Sequence, residues 1–180
     1  VSYDDGTDGW AGAGTFTQGT STVDLTGDGS WYISDTTTQY YNVNVAASGK
    51  TTTMESVGAA SRKPKITNLL THGGGTLAGI NDPEMNITGT ASISSGADLS
   101  GLTFTTWNST TPIPNATFKY LTINGNYDIA GDITATSYIQ VYGDTDLGNN
   151  SITSPRIISY ADSSFNMDAG TIIFTATHGW

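Results

Sequence analysis

Residues 121–135 read LTINGNYDIAGDITA, and this stretch decides the class of fold. Apolar side chains stand at every second position, and the pattern breaks only around Gly125 and Gly131, too close together for a helix. Alternation with a period of two is typical of strands that bury one face, and glycine is typical of tight corners. We therefore expect a chain that runs extended, turns, and runs extended again.

The same style covers much of the sequence. Residues 14–45 and 85–107 alternate apolar and polar side chains in the same way. Thr, Ser, Asn and Gly occur 31, 18, 12 and 22 times and together make up 83 of the 180 residues. Thr favours pleated backbone, whereas Ser, Asn and Gly favour turns. The sequence predicts an all-β fold of short strands, either a β-sandwich or a β-solenoid, with strand exchange between subunits.

Two features bear on domain organisation. Residues 46–83 alternate less regularly and contain THGGGTLAG, which predicts a loop or wide turn, so we expect an irregular insert there. The segment TPIPNAT at 111–117 contains Pro112 and Pro114, which cannot donate to a central ladder. This favours a boundary between an N-terminal β region, 1–110, and a C-terminal β region, 111–180. One continuous domain is the alternative.

The charge and the cysteine content exclude several classes of function and of site. Sixteen acidic residues face six basic ones, for a net charge of −10, and the one basic cluster, Arg62, Lys63 and Lys65, is too small to bind nucleic acid. The absence of cysteine excludes disulfides and thiolate metal sites. The sequence begins at Val1, which suggests a removed leader and export. No stretch approaches the ~20 apolar residues of a membrane span, so none is expected in the mature chain.

Catalytic motifs are not found in the sequence. His72 and His178 are the only histidines, and Glu55 and Glu84 are the only glutamates. Neither a G-x-S-x-G elbow nor an H-E-x-x-H pair accompanies them. The sequence therefore predicts that the protein is not an enzyme.

Four Asn-x-Ser/Thr sequons predict glycosylation, at Asn86, Asn108, Asn115 and Asn149. Asn108 and Asn115 lie on either side of Pro112 and Pro114 and should be exposed in any β-fold. A glycan at these two positions would be tolerated in an exported chain.

Aspartates are clustered with glycines at Asp4, Asp8, Asp144 and Asp146. Such loops provide the oxygen ligands that calcium requires, although none matches a D-x-D-x-D-G loop. Aspartate that caps its own turn explains the clusters equally well. Calcium is thus the one cofactor that the sequence leaves open.

Adjacent aromatic pairs occur at Trp31/Tyr32 and Tyr40/Tyr41. In a strand, one member of each pair faces inward and the other outward. The outward member could stack on a sugar or on a neighbouring subunit.

Three segments resemble the degenerate strand-turn repeats of secreted archaeal or bacterial cell-surface proteins: ATFKYLTINGNYDIAGDITA, which contains the opening stretch, GDTDLGNNSIT and SSFNMDAGTIIF. Proteins of this type build filaments, sheaths, S-layers and adhesins. The resemblance implies an extracellular location at the cell surface and a structural role.

Two functional hypotheses follow. The first is a structural subunit of a self-assembling polymer, with copies of the chain itself as partners. Its candidate inter-subunit strand comprises Thr171, Ile172, Ile173, Phe174 and Thr175, because an unpaired strand edge can complete the ladder of a neighbour. The alternative is a carbohydrate-binding adhesin domain, with surface glycans as ligands, or the receptor-binding part of a phage or virus fibre.

Overall fold

The computed structural model describes residues 19–25, 27–33, 39–56 and 64–176. These residues contain no helix, and their strands wind into a parallel β-solenoid of about seven turns. Every ladder between strands in this part of the chain is parallel. The β-solenoid alternative is thereby confirmed, because the strands of a sandwich are antiparallel.

The first nine strands are β1 (Thr22–Leu25), β2 (Gly29–Ile33), β3 (Gln39–Val45), β4 (Thr51–Ser56), β5 (Lys65–His72), β6 (Thr76–Ile80), β7 (Glu84–Ile87), β8 (Thr90–Ile93) and β9 (Ala97–Trp107). The remaining eight are β10 (Ala116–Ile123), β11 (Tyr127–Asp128), β12 (Ile133–Val141), β13 (Thr145–Asp146), β14 (Ser151–Ser154), β15 (Ile157–Ser159), β16 (Phe165–Asn166) and β17 (Thr171–Phe174).

The ladders place these strands on three sides of the solenoid. On side 1, β2, β4 and β6 lie next to one another in successive turns, and they are followed by the N-terminal parts of β9, β10 and β12 and then by β14 and β17. Side 2 stacks the first parts of β3 and β5, then β7, the second parts of β9, β10 and β12, and β15. Side 3 contains β1, the second parts of β3 and β5, and β8, and later β11, β13 and β16. Long strands therefore bend around a corner, and the shift in register between Phe118 and Tyr120 marks one such bend.

The stretch 121–135 visits all three sides. It ends β10 on side 2, forms β11 on side 3 and begins β12 on side 1. Gly125 has a φ of +139°, a backbone angle that residues with a side chain rarely adopt. At Gly131, an added Cβ would lie 2.7 Å from the Cβ of Asn115 in the preceding turn. Both predicted corners are thus present, and each requires glycine for a different reason.

The core is a set of columns in which each turn places an apolar side chain on the one before. On side 2, Ile66, Ile87, Trp107, Ile123 and Val141 are in register and all 0 % exposed. Full burial of one such side chain contributes about 1.5–3 kcal/mol. This column holds five successive turns together.

Residues 46–56 and 64–83, the described parts of the predicted insert, take part in the ladders. They were expected to form an irregular insert, but β4, β5 and β6 lie there as regular members of the ladders, and Met54, Leu70 and Leu77 are buried in the core. At the predicted boundary near residue 110, β9 and β10 pair directly with each other. The ladders therefore continue across that position.

Candidate functional site

The last turn of the solenoid ends with strands that are paired on one side. β15 pairs with β12, β16 with β13 and β17 with β14. Across the described ranges, no further strand pairs with these three on the outer side. A strand edge of this kind presents backbone N–H and C=O groups at fixed spacing, which is the template for pairing with another chain.

The direction of the backbone amides on β17 follows from two hydrogen bonds. The N–H of Thr171 donates to the Asn150 carbonyl at 3.1 Å, and the N–H of Thr175 donates to the Ser154 carbonyl at 3.2 Å. Amides alternate in direction along a parallel strand, so the N–H of Ile172 points away from β14. The outer edge of β17 thus begins with a donor at Ile172.

The core positions of this turn are also incompletely covered. Ile157 is in register with Ile139, and Ile172 is in register with Ile152. Ile139 and Ile152 are 0 % exposed, whereas Ile157, Ile172 and Phe165 are only half-buried. The core columns therefore reach the last turn and lie open at its outer surface.

Large exposed apolar side chains are concentrated in the same place. Four of the six in the described ranges belong to the last turn: Tyr160 (39 % exposed), Met167 (38 %), Ile173 (45 %) and Phe174 (41 %). In the first turn, by contrast, Val23 is 5 % exposed and Trp31 is 0 % exposed. The two ends of the described solenoid thus differ, and the last turn is the apolar one.

The candidate inter-subunit strand lies in this last turn. Thr171, Ile172, Ile173 and Phe174 form β17, and Thr175 follows it directly. Its inner edge pairs with β14 of the same chain, so only the outer edge remains for another subunit. Pairing of that edge between subunits stays a prediction.

A group of tyrosines on side 2, here called the tyrosine face, was not singled out by the sequence analysis. The rings of Tyr120 and Tyr138 lie 4.4 Å apart, and those of Tyr142 and Tyr160 lie 4.1 Å apart and stack within 10° of parallel. Between the pairs, the Gln140 amide donates to the Tyr160 hydroxyl at 3.2 Å. In both pairs the two tyrosines stand 18 positions apart in sequence. That recurrence is the signal that could have revealed the face.

Local contacts shift the pKa values of two tyrosines of this face. The contact with the Tyr160 side chain raises the pKa of Tyr142. Burial raises the pKa of Tyr138, and the nearby Arg156 partly opposes this. Arg156 is exposed, and among the described residues no ion pair includes it. The hydroxyls of Tyr138 and Tyr142 are therefore neutral at neutral pH.

The aromatic pairs chosen from the sequence behave as expected for strands. Trp31 and Tyr40 face inward and are buried, with their rings edge to face at a centroid distance of 5.1 Å. Tyr32 and Tyr41 are half-exposed on the outer surface. These outward tyrosines do not belong to the tyrosine face, which lies further along the solenoid.

The aspartates proposed for calcium are used within the solenoid. Asp144 accepts a hydrogen bond from the Ser164 hydroxyl at 2.6 Å. Asp146 accepts one from the Gly148 amide at 2.8 Å and one from the Asn166 side chain at 3.0 Å. No group of three or more His, Cys, Asp or Glu side chains that could hold a metal ion is found in the described ranges. Asp4 and Asp8 lie outside the described residues.

The sequons differ in exposure. Asn108, Asn115 and Asn149 are exposed at corners between strands. Asn86 lies within β7, is half-buried, and has a side-chain oxygen that is buried without a hydrogen-bond partner. Three of the four predicted acceptors are therefore accessible.

His72 is buried in β5 rather than placed in a cleft. It is 2 % exposed, its Nδ1 accepts a hydrogen bond from the Gly74 amide at 3.3 Å, and its Nε2 has no partner. Burial lowers the pKa of His72, so the ring is neutral at neutral pH. His178 lies outside the described residues.

Comparison with known proteins gives no match: no family model, no curated protein and no solved structure matches the chain. Within the part of the chain that the structure describes, no helix is long and apolar enough to cross a membrane.

Proposed function

We propose that this protein is a structural subunit of an extracellular polymer at an archaeal or bacterial cell surface. Its copies join end to end by pairing of β-strands at the last turn. The observation that carries the proposal is the open core of that turn, at Ile157, Phe165 and Ile172. Terminal turns of solenoids need a polar cap to remain soluble, and an apolar one is covered by something else. A second copy supplies both the apolar cover and the missing strand partners.

The composition supports the same function. A chain with 31 Thr and no cysteine offers backbone ladders rather than reactive side chains as its means of cohesion. Exposed sequons at Asn108, Asn115 and Asn149 fit an exported surface. Both observations are independent of whether the core of the last turn is open.

Sedimentation velocity over a range of protein concentrations tests the proposal. The wild-type chain should form particles that grow with concentration, and Ile173→Lys, 45 % exposed in the last turn, should prevent this. Ile80→Lys is the matched control, because Ile80 is 46 % exposed but lies on β6, away from the end. Deletion of residues 171–180 should leave a folded monomer. Particles that survive both the deletion and Ile173→Lys would reject the proposal.

The same sedimentation experiment, repeated with EDTA and with added calcium, tests whether calcium contributes to the assembly. If aspartates such as Asp144 and Asp146 hold calcium that organises the assembly, EDTA should disperse the particles and added calcium should restore them. Particles indifferent to EDTA would leave strand pairing as the sufficient cause.

Carbohydrate binding is a second candidate function, favoured by the tyrosine face. The rings of Tyr142 and Tyr160 are exposed and offer surfaces for a sugar. Arg156, which has no ion pair among the described residues, lies near Tyr138 and offers a cation for an acidic sugar. Affinity electrophoresis in gels containing a neutral or a uronate polysaccharide should retard the wild-type chain, and Tyr138→Ala and Arg156→Ala should relieve the retardation. Equal mobility of all variants would exclude binding at this face.

A further inference from the structure

Tyr142 and Tyr160 lie in consecutive turns and are held in contact. Tyr142 follows β12 and Tyr160 follows β15, and the N–H of Tyr160 donates to the carbonyl of Val141 at 3.0 Å. Their rings are 4.1 Å apart between centroids and within 10° of parallel. Because the solenoid backbone fixes both residues, the two phenols meet without any rearrangement of the chain.

The pair is also open to solvent. Tyr142 is 44 % exposed and Tyr160 is 39 % exposed, so a soluble oxidant reaches both rings. The chain has no cysteine, the side chain that would otherwise be oxidised first and the one that could form a disulfide. In a chain without cysteine, two stacked phenols are an arrangement that can still form a covalent cross-link by oxidation.

We propose that Tyr142 and Tyr160 are a cross-linking site, at which a haem peroxidase with hydrogen peroxide joins them as dityrosine. Each phenol loses one electron and one proton, and the two radicals couple through a new bond between their Cε carbons. The ring hydrogens at those carbons then move to the oxygens as aromaticity returns. One hydrogen peroxide accepts the two electrons and two protons and becomes two water molecules. The bond ties the last turn to the turn before it.

The second tyrosine pair of the same face provides an internal comparison. Tyr120 and Tyr138 are 4.4 Å apart, but their rings are tilted by 57° and both are half-buried. The burial reduces the access of an oxidant to these rings, and the tilt reduces the overlap between them. Pre-positioned groups react faster than groups that must be reoriented, so we expect at least about tenfold more product at Tyr142–Tyr160 than at Tyr120–Tyr138.

Trypsin separates the two possible products. It cleaves after Lys119 and Arg156, so Tyr120, Tyr138 and Tyr142 fall in one peptide, and Tyr160 is the only tyrosine that follows Arg156. A link at Tyr142–Tyr160 joins two peptides, with a mass lower than their sum by two hydrogen atoms. A link at Tyr120–Tyr138 stays within one peptide.

The experiment treats dilute full-length protein with peroxidase and hydrogen peroxide and analyses the digest by mass spectrometry. The joined peptide should appear in a yield independent of protein concentration, vanish in Tyr142→Phe and in Tyr160→Phe, and persist in Tyr120→Phe. Phenylalanine keeps the stacked ring, and circular dichroism checks that each variant folds. A joined peptide that persists in Tyr142→Phe, or tyrosines that are oxidised singly without joining, would overturn the proposal. The reaction occurs within one chain, so its outcome does not depend on assembly.

Discussion

Substitution of two isoleucines in one core column measures how open the last turn is in the single chain. Ile152 and Ile172 are in register on side 1, in consecutive turns, and only Ile152 is fully buried. Ile152→Ala removes three buried carbons, worth about 2.4 kcal/mol at 0.8 kcal/mol each, and leaves a closed cavity, for a total of about 3–4 kcal/mol. Ile172→Ala removes the same atoms from a half-exposed site without a closed cavity, for about 1 kcal/mol.

Urea unfolding of the monomer at low concentration, followed by tryptophan fluorescence, gives both values. The buried Trp31 and Trp107 report loss of the core. The expected difference in the free energy of unfolding between the two variants is about 2 kcal/mol. Equal losses for Ile152→Ala and Ile172→Ala would refute the reasoning, because they would mean that the last turn is already covered within one chain.

Further predictions concern His72, the glycines and the sequons. Burial lowers the pKa of His72 below 6.5, so the unfolded chain binds a proton that the folded chain does not. The contribution of His72 to the free energy of unfolding should therefore be complete above pH 6.5 and should fall below it. Urea titrations at several pH values measure this slope, and His72→Gln should flatten it. Gly101→Ala should cost more than about 3 kcal/mol, because its Cβ would lie 2.5 Å from a backbone oxygen, whereas Gly29→Ala, with no atom within 4 Å, should change thermal stability little. After expression in a glycosylating host, glycopeptide mapping should find Asn108 occupied and Asn86 vacant.

Much of the fold could be predicted from local patterns. The alternation in residues 121–135 indicated strands, and Gly125 and Gly131 indicated the corners, because each of these signals depends on a few neighbouring residues. The choice between sandwich and solenoid could not be made in this way. Val43 pairs with Leu70 and Leu121 pairs with Ile139, so one turn takes 27 residues and another takes 18. Turns of such different length leave no fixed period in the sequence.

The candidate site was harder to predict than the strands. The segment TIIFT was predicted from the sequence to be a strand that pairs with another subunit. The open core around it depends on which turns lie beside Ile172 and Ile157, and the sequence pattern of a single strand does not carry that information. The tyrosine face is different, since its two pairs recur at the length of a turn. A search for aromatic residues repeated at 18 positions would have found it.

Amide hydrogen exchange on β17, compared between dispersed chains and assembled particles, tests end-to-end pairing most directly. The N–H of Ile173 points toward β14, and the N–H of Ile172 points toward the outer edge. In dispersed chains Ile172 should exchange fast and Ile173 slowly. In particles the Ile172 amide should slow to the rate of Ile173, whereas an Ile172 amide that still exchanges fast in particles would contradict strand pairing at the last turn.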